Sequence, residues 1–310
     1  MSKVLVTGGL GYIGAVVCRE LLISGHEVVI VDNEDGELYK DRYLSGDVGA
    51  IGHKKISEMN ESDWEMLGRI DRVVHLAALA SVTESMTDPM KYYENNICET
   101  IALLKYMRDY GVPRITFASS CAVYSNSNPI CEEDDSTNPL SPYGYTKLVC
   151  ERMIQRCLPP QHSTILRLFN VIGATEHDGD RHDPGLRLVT NLLRSIDSGK
   201  PIEIRDIQAV RTYVDVLDVA KIIEMSINKP VSGIINVCNE ALSNHDIIRL
   251  VYEVTGETIP IIFGCLQVGE ADKVIGDCTK ANIEFSMKDK WTSAEESIRN
   301  AFVWEQRRKQ

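Results

Sequence analysis

The sequence has no apolar run that approaches the roughly 20 residues needed to cross a bilayer, so we expect no membrane-spanning segment. Basic residues are also scarce: 33 Lys and Arg stand against 45 Asp and Glu among 310 residues, a net charge of −12. Because nucleic-acid phosphates are bound by concentrated Lys and Arg, this balance argues against a nucleic-acid partner. The 44% of apolar residues is ordinary for a globular protein.

The nine cysteines include no CxxC pair. An odd, scattered set predicts reduced thiols in the cytoplasm rather than a disulfide framework. The first residues run directly into a strand and lack the apolar core of a secretory leader. His177 and His182 lie in an acidic loop, but their spacing matches no ligand frame, so no metal is expected.

Short β-branched runs alternate with helical patterns in the first half of the chain. This alternation predicts an α/β fold with a Rossmann-like, doubly wound parallel sheet. Strands are predicted at Lys3–Thr7, Glu27–Val31, Lys54–Ile56, Arg72–Leu76, Ile115–Ala118 and Ser163–Leu168. Helices are predicted at Gly14–Ser24, Asp63–Leu67, Pro89–Tyr110 and Tyr143–Cys157.

After about residue 170 the pattern changes to a smaller mixed α/β C-terminal lobe. Its predicted helices are Leu186–Ser198, Val216–Asn228, Asn244–Thr255 and Ser293–Gln310. Its predicted strands are Ile202–Ile204, Ile234–Val237 and Ile259–Phe263. Because ligands of such sheets bind at the carboxyl ends of the strands, the site is expected in the cleft between sheet and lobe.

A glycine-rich turn joins the first strand to the first helix. It contains Gly9-x-Gly11-x-x-Gly14 and also Gly8-x-x-Gly11-x-x-Gly14. Glycine lets the backbone approach a pyrophosphate, and the helix N-terminus offers N–H groups to it. Asp32 follows the second strand, where a carboxylate can accept ribose hydroxyls and would repel a 2′-phosphate. The pattern therefore favours NAD over NADP.

These features divide the chain into two units. Residues 1–170 are expected to form an NAD-binding Rossmann domain, to which segments from about 205–240 return. Residues 171–310 are expected to form mainly the substrate-binding lobe.

Three side chains predict acid–base chemistry. Tyr143 and Lys147 are four residues apart, so they share one face of a helix. A neighbouring ammonium favours the phenolate, which can then take a hydroxyl proton while hydride leaves the same carbon. Ser120, at the end of the preceding strand, can bond the substrate oxygen. Tyr145 has Val149 as its i+4 partner and is not expected to take part.

With these motifs the chain resembles the extended short-chain dehydrogenase/reductase family, in particular its nucleotide-sugar epimerase/dehydratase branch and the UDP-glucose 4-epimerases within that branch. The resemblance covers nearly the whole chain. It is strongest in five stretches: Lys3–Asn33, His75–Ala78, Tyr92–Asn96, Leu166–Asn170 and Arg211–Val216.

The resemblance implies a role for each matching residue. The cofactor would be bound by Gly8, Gly11, Tyr12, Ile13, Gly14, Asp32, Asn33, Glu58, Met59, Leu76, Ala77, Ala78, Asn96, Ser119, Tyr143 and Lys147. Glu58 and Met59 would border the adenine. Ser120, Tyr143 and Lys147 would be catalytic, and Cys121 is a further candidate. The substrate would be bound by Ser81, Ser120, Asn170, Arg205, Arg211 and Gln267.

The family's reaction would pass through a 4-keto sugar with NAD regenerated in place. The leading hypothesis is C4 epimerisation of a UDP-hexose or UDP-N-acetylhexosamine. The alternative is a dehydratase, by 4,6- or 5,6-elimination, in which Cys121 could serve as the acid. A dehydrogenase or reductase and a non-catalytic dinucleotide sensor are the remaining possibilities. The long helices of such relatives pair across a two-fold axis, so a homodimer is expected.

Two departures concern the substrate. Gln267 stands where the family carries an Arg, and a neutral amide cannot form a charge-assisted fork with a diphosphate. A Gly-Asp-Gly turn that borders the nucleotide base is missing, and Arg205 lies in the segment that replaces it. Both departures leave open which nucleotide and which sugar the substrate contains.

Overall fold

Strands and helices alternate along the first half of the chain. The computed structural model describes residues 1–34, 48–51, 54–125, 130–181, 187–229, 231–264 and 273–308. The strands are β1 (Lys3–Thr7), β2 (Glu27–Val31), β3 (Val48–Ile51), β4 (Arg72–His75), β5 (Ile115–Ser120), β6 (Ser163–Leu168), β7 (Asn170–Ile172), β8 (Ile202–Ile204), β9 (Val210–Asp215), β10 (Gly233–Val237), β11 (Glu240–Ser243), β12 (Ile261–Phe263) and β13 (Lys273–Val274).

The helices occupy both halves of the chain. They are α1 (Tyr12–Ile23), α2 (Glu61–Met66), α3 (Val82–Thr87), α4 (Pro89–Tyr92), α5 (Glu99–Asp109), α6 (Pro142–Cys157), α7 (Leu188–Ser198), α8 (Val216–Asn228), α9 (Asn244–Thr255), α10 (Thr279–Glu284) and α11 (Ala294–Arg307). Short 3₁₀ turns lie at Ile56–Glu58, Cys121–Val123 and Pro160–His162, and a π-helical segment spans Tyr93–Cys98.

Seven strands form one parallel sheet in the order β10-β6-β5-β4-β1-β2-β3. Each neighbouring pair in this sheet is parallel. The chain leaves β1 towards β2 on one side and later returns to β4 on the other, which creates a switch point between the carboxyl ends of β1 and β4. The predicted Rossmann-like fold is thereby confirmed.

Both faces of the sheet are buried, which explains why β1 and β2 are nearly unbroken apolar runs. Val4 and Val6 of β1 point to the core beneath α1 and α8, whereas Leu5 points to the core beneath α2, α5 and α6. Burying each such side chain contributes about 1.5–3 kcal/mol. This alternation fixes the register of the strands and so the positions of their carboxyl ends.

The second half of the chain adds a smaller region. β9 pairs with β11, β13 and β7, and β8 pairs with β12 in a separate two-stranded sheet. A core of its own joins α7, α9 and α11 to these strands, with Leu192, Val251 and Ile298 fully buried. β10 returns to the edge of the main sheet beside β6.

Several sequence predictions need correction. The third strand is β3, not Lys54–Ile56, whose end forms a 3₁₀ turn instead. The short run at β3 contains a glycine but pairs in register with the buried β2, and this pairing decides its structure. The helix predicted at Pro89–Tyr110 is interrupted by the π-helical segment Tyr93–Cys98. Within the described residues, no helix is long and apolar enough to span a membrane.

Candidate functional site

A cavity of about 1300 Å³ extends from the carboxyl ends of the sheet strands into the C-terminal lobe. The structure brings most of the sequence-predicted site residues to its wall: Gly8, Gly11, Tyr12, Ile13, Gly14, Asp32, Asn33, Leu76, Ala77, Ala78, Ser81, Ser119, Ser120, Cys121, Tyr143, Lys147, Asn170, Arg205 and Arg211. Glu58, Met59 and Asn96 are not part of the described wall. Gln267 lies outside the described residues.

The glycine turn is shaped for an anion. Gly8 has a φ of +72°, and a Cβ there would lie 2.7 Å from the Ala77 nitrogen. A Cβ on Gly14 would collide with the carbonyl of Gly8. Gly11 precedes α1 without a side-chain cap, and the first turn of α1 carries no acidic residue. The N–H groups at this helix end are therefore suited to a pyrophosphate.

Asp32 follows β2 on the cavity wall, where the adenosine of a dinucleotide is expected to bind. Its Oδ2 accepts from the backbone nitrogen of Leu10 (2.9 Å) and its Oδ1 from that of Glu34 (3.0 Å). Burial raises the pKa of this carboxyl. Lys54 also lines the cavity, but its ammonium pairs with Asp63 at 2.7 Å. The carboxylate and the glycine turn together fit NAD, which the residues present could hold.

The two residues predicted to border the adenine are not among those described on the cavity wall, and their role stays a prediction. Glu58 is exposed, and its carboxylate accepts from the backbone nitrogen of Lys55. Met59 is buried in the core on the α5 side of the sheet. A 3₁₀ turn spans Ile56–Glu58, and Lys55 and Ile56 line the cavity beside these two residues.

The start of α6 brings the three acid–base side chains together. Ser141 caps the helix by accepting from the Gly144 nitrogen (3.1 Å), and Pro142 occupies the first helical position, where its missing N–H is harmless. A Cβ on Gly144 would collide with the carbonyl of Ala122. The glycine thus lets α6 pack directly on the turn after Ser120, a contact that sequence reasoning missed.

Burial raises the pKa of Tyr143 to about 12. A hydrogen bond with Ser120 and the charge of Arg187 act in the opposite direction. Burial lowers the pKa of Lys147 to about 8, and its Nζ donates to the Ala118 carbonyl at 2.8 Å. The sequence predicts that the ammonium of Lys147 and the positive charge of an oxidised nicotinamide favour the Tyr143 phenolate. The structure adds the charge of Arg187, which no sequence motif marks.

Asn96 lies behind the cavity wall and supports it. Its Oδ1 accepts from the Leu79 nitrogen (2.8 Å), and its Nδ2 donates to the Leu79 carbonyl and to Thr146 Oγ1 (both 3.0 Å). The π-helical segment that contains Asn96 therefore fixes the loop after β4 against α6. This role is positional, since the side chain is 3% exposed.

His75, the last residue of β4, is a packed and hydrogen-bonded residue. Its Nδ1 lies 2.7 Å from Thr7 Oγ1 and its Nε2 lies 3.0 Å from Thr100 Oγ1. Burial and the nearby charge of Lys147 lower its pKa to about 3, so it is neutral at physiological pH.

A hydrogen bond ties the glycine turn to the lobe. The Tyr12 hydroxyl donates to the Gly173 carbonyl at 2.7 Å. Gly173 has a φ of +95°, and a Cβ there would collide with the Asp215 carboxylate. Asp215 caps α8 by accepting from the Leu217 nitrogen at 2.7 Å, and burial raises its pKa to about 6. Tyr12, Gly173 and Asp215 thus lock together; we call this set the interlock.

The opposite end of the cavity carries the predicted substrate residues. Asn170 Nδ2 donates to the Thr212 carbonyl at 3.1 Å, beside Arg211 on β9. Arg205 forms an ion pair with Glu203, in which Nε of Arg205 lies 3.8 Å from Oε1 of Glu203. Ser81 uses its hydroxyl to cap α3, where it accepts from the Glu84 nitrogen (3.1 Å).

Cys121 follows Ser120 on the cavity wall. Burial raises the pKa of its thiol to about 12, although the charge of Arg211 acts against this. The thiol therefore keeps its proton at neutral pH and is a weak acid. Across the described residues, no group of three His, Cys, Asp or Glu side chains is arranged to hold a metal ion.

A buried ion pair lies next to β5, the strand that ends at Ser120. Arg167 of β6 donates to both carboxylate oxygens of Glu151 on α6, at 3.0 and 2.9 Å. The same carboxylate accepts from the hydroxyl of Ser119 on β5. Both members of the pair are 1% exposed. This network joins β5, β6 and α6 directly behind Ser120.

A dinucleotide turn, a terminal Asp and a Ser–Tyr–Lys group on one cavity define an enzyme of the short-chain dehydrogenase/reductase type. The chain belongs to the NAD-dependent epimerase/dehydratase family, whose model matches residues 4–238. NAD is the cofactor of this family.

Individual relatives extend over the whole chain. The UDP-glucose 4-epimerase of Lactobacillus helveticus is 33% identical over 331 aligned positions, which cover 97% of this chain and 96% of the relative. The UDP-glucose 4-epimerase of Bifidobacterium longum, solved with NAD⁺ and UDP, gives a TM-score of 0.90 at 26% identity, covering 99% of this chain and 98% of that chain. TunA, an NAD-dependent NDP-hexosamine 5,6-dehydratase of tunicamycin biosynthesis, gives 0.85 at 25% identity, covering 99% and 98%.

Proposed function

We propose that this protein inverts C4 of a UDP-hexose through a transient 4-keto sugar. The observation that carries the proposal is the position of Ser120, Tyr143 and Lys147 on one cavity that reaches from the glycine turn to Arg211. The volume of about 1300 Å³ exceeds what a single small ligand needs and leaves room for a dinucleotide and a sugar nucleotide together.

In this proposal Tyr143 takes the proton of the C4 hydroxyl, and Ser120 bonds the same oxygen. NAD, when bound, supplies the acceptor and then the donor of hydride. The buried phenol needs help to ionise near neutral pH, and the Ser120 hydrogen bond and the charge of Arg187 both lower its pKa. Lys147, whose Nζ donates to the Ala118 carbonyl, would hold the nicotinamide ribose of bound NAD. The proton returns from Tyr143 when the carbonyl is reduced.

Further roles follow for the remaining lining residues. Arg211 and Asn170 bind the diphosphate of the substrate, for which the planar fork of Arg is suited. Arg205 and Ser81 border the nucleotide and the sugar. Gly8, Gly11, Ile13 and Gly14 hold the cofactor pyrophosphate, and Asp32 and Asn33 hold its adenosine ribose. The main sheet with residues 1–170 serves the cofactor, and residues 171–310 mainly serve the substrate.

A dehydratase is the second candidate, because Cys121 adjoins Ser120 on the cavity wall and a 5,6-dehydratase shares the fold. Elimination requires an acid that protonates the leaving hydroxyl. A thiol whose pKa is raised to about 12 donates its proton poorly, and Ala122 beside it has no acid. These two observations place epimerisation first.

The test is proton NMR of the purified protein, without added cofactor, incubated with UDP-glucose, UDP-galactose and their N-acetyl forms. Epimerisation gives the C4-inverted sugar at equilibrium from either side. An alkene or 6-deoxy-4-keto signal would instead assign the dehydratase reaction. A lack of change with all four sugars, in protein that retains NAD, would overturn the UDP-sugar assignment.

We also propose a homodimer that works in the cytoplasm. Helices α3 to α6 expose large apolar side chains: Met86, Met90, Ile101 and Tyr145 are 37–59% exposed. Such a face is suited to pairing with its copy. Light scattering is expected to give twice the chain mass of 34.7 kDa at micromolar protein, and a mass of one chain would contradict the dimer. The eight described cysteines are free thiols, which suits a reducing compartment.

A further inference from the structure

Arg187 reaches the glycine turn from the lobe. It immediately precedes α7, and its guanidinium lies 4.7 Å from the centre of the Tyr12 ring. Tyr12 is the first residue of α1, the helix whose N-terminus faces the cavity. Arg187 also lines the cavity and is 25% exposed. The residue thus carries a permanent positive charge to the anion-binding end of α1.

An ion pair holds the Arg187 guanidinium in place but leaves N–H groups available as hydrogen-bond donors. Its Nη1 lies 2.9 Å from Asp180 Oδ1, but the contact lacks hydrogen-bond alignment, so this buried nitrogen has no hydrogen-bond partner. Asp180 itself is fixed by Thr190, whose hydroxyl donates to Oδ2 at 3.0 Å. A guanidinium has five N–H donors, so the ion pair orients the group without consuming its donors.

A pyrophosphate at this turn needs more charge than the helix supplies. The N-terminus of a helix acts as roughly half a positive charge, whereas a pyrophosphate bridge carries about two negative charges. Two other cations on the described wall are paired elsewhere: Lys54 pairs with Asp63, and Arg194 pairs with Glu305 at 2.9 Å. Arg187 is in a position to supply the difference.

The electrostatic effect of Arg187 on its neighbours agrees with this role. Burial raises the pKa of both the Tyr12 and the Tyr143 phenol, and the charge of Arg187 opposes this rise at each of them. Arg187 therefore acts electrostatically on both the glycine turn and the proposed proton acceptor.

We propose that Arg187 binds the pyrophosphate of NAD from the lobe side of the cavity. The inference rests on the cofactor and not on the proposed C4 epimerisation. The substrate offers the same chemistry in its own diphosphate, but the contact with Tyr12 favours the cofactor as the source.

The test measures NAD binding in the absence of any sugar. Arg187→Met removes the charge and keeps much of the side-chain bulk, Arg187→Lys keeps the charge and removes the fork, and Arg181→Met is the matched control. Arg181 lies six positions earlier in the sequence but is exposed, has its guanidinium 5.9 Å from the centre of the Trp304 ring, and is not part of the described cavity wall. NAD retained after purification and the NAD dissociation constant by calorimetry are compared with those of the parent protein.

Arg187→Met is expected to weaken NAD binding at least about tenfold, the effect of one charge-assisted hydrogen bond. Arg187→Lys should lose several-fold, and Arg181→Met should match the parent. UDP binding to each NAD-loaded variant should stay within about twofold of the parent. Because no turnover is measured, failure of the epimerase assignment would leave this result unaffected.

Unchanged NAD affinity in both Arg187 variants would overturn the proposal. So would a loss confined to UDP affinity, which would assign Arg187 to the substrate diphosphate. Thermal unfolding of each variant shows whether the fold is kept. If Arg187→Met does not fold, Arg187→Lys, which retains the ion pair with Asp180, decides the question by the same NAD measurement.

Discussion

Replacing Tyr143 with Phe is expected to lower kcat for C4 inversion by about 10²- to 10⁴-fold, the contribution of a positioned acid–base group. The substitution removes the hydroxyl that would exchange a proton with the C4 oxygen. The ring itself is buried and lies edge-on to Tyr92, with centroids 6.4 Å apart, so Phe fills the same space. NAD content should therefore remain that of the parent. Initial rates by proton NMR at saturating UDP-galactose measure the loss.

Tyr145→Phe is the matched control on the same helix. Tyr145 is 50% exposed and is not part of the described cavity wall, and its ring packs on Tyr93 with or without the hydroxyl. This variant should keep the parental kcat. The acid–base role of Tyr143 would have to be abandoned if Tyr143→Phe retained parental activity or if both variants lost it equally.

Glu151→Ala is expected to cause the largest loss of stability, about 3–5 kcal/mol of the free energy of unfolding. The substitution leaves the Arg167 guanidinium charged and without its carboxylate in a site where both side chains are at most 2% exposed. It also removes the partner of the Ser119 hydroxyl. Because a domain is stabilised by only about 5–15 kcal/mol in total, the effect should be obvious in urea unfolding followed by circular dichroism.

Glu295→Ala provides the comparison at the surface. Glu295 and Arg299 form an i,i+4 ion pair on α11, and each side chain is 55% exposed. Water already solvates both charges, so the loss should be about 0.5 kcal/mol or less. Similar shifts in the two variants would show that burial of the Glu151–Arg167 pair has no special effect.

Strands that are buried along most of their length could be predicted closely from the sequence. The predicted bounds of β1, β2 and β6 agree with the structure residue for residue. Strand β3 was misplaced, and the six-residue strand β9 was not predicted. The strands β7, β11 and β13 were not predicted either. These strands are short, and their existence depends on partners far away in the chain; β11 and β13, for example, both form on β9. Local sequence carries little information about such pairings.

The site shows the same division between local and distant information. Tyr143 and Lys147 are four residues apart on one helix, so their pairing could be predicted from spacing alone. Arg187 meets Tyr12 across 175 positions of sequence, and the contact exists only because the lobe folds back on the glycine turn. The prediction that Glu58 and Met59 border the adenine depended on resemblance and stays a prediction. In this structure a 3₁₀ turn spans Ile56–Glu58, and neither residue is among those described on the cavity wall.

The interlock of Tyr12, Gly173 and Asp215 constrains how this sequence can evolve. A side chain at position 173 is excluded while Asp215 is present, because the Cβ and the carboxylate would occupy the same space. The backbone at position 173 must in turn stay where the Tyr12 hydroxyl can reach its carbonyl. Three positions separated by up to about 200 residues therefore cannot drift independently. We expect a substitution at one of these positions to require a compensating substitution at another. Substitutions in the glycine turn and in the lobe should therefore be correlated.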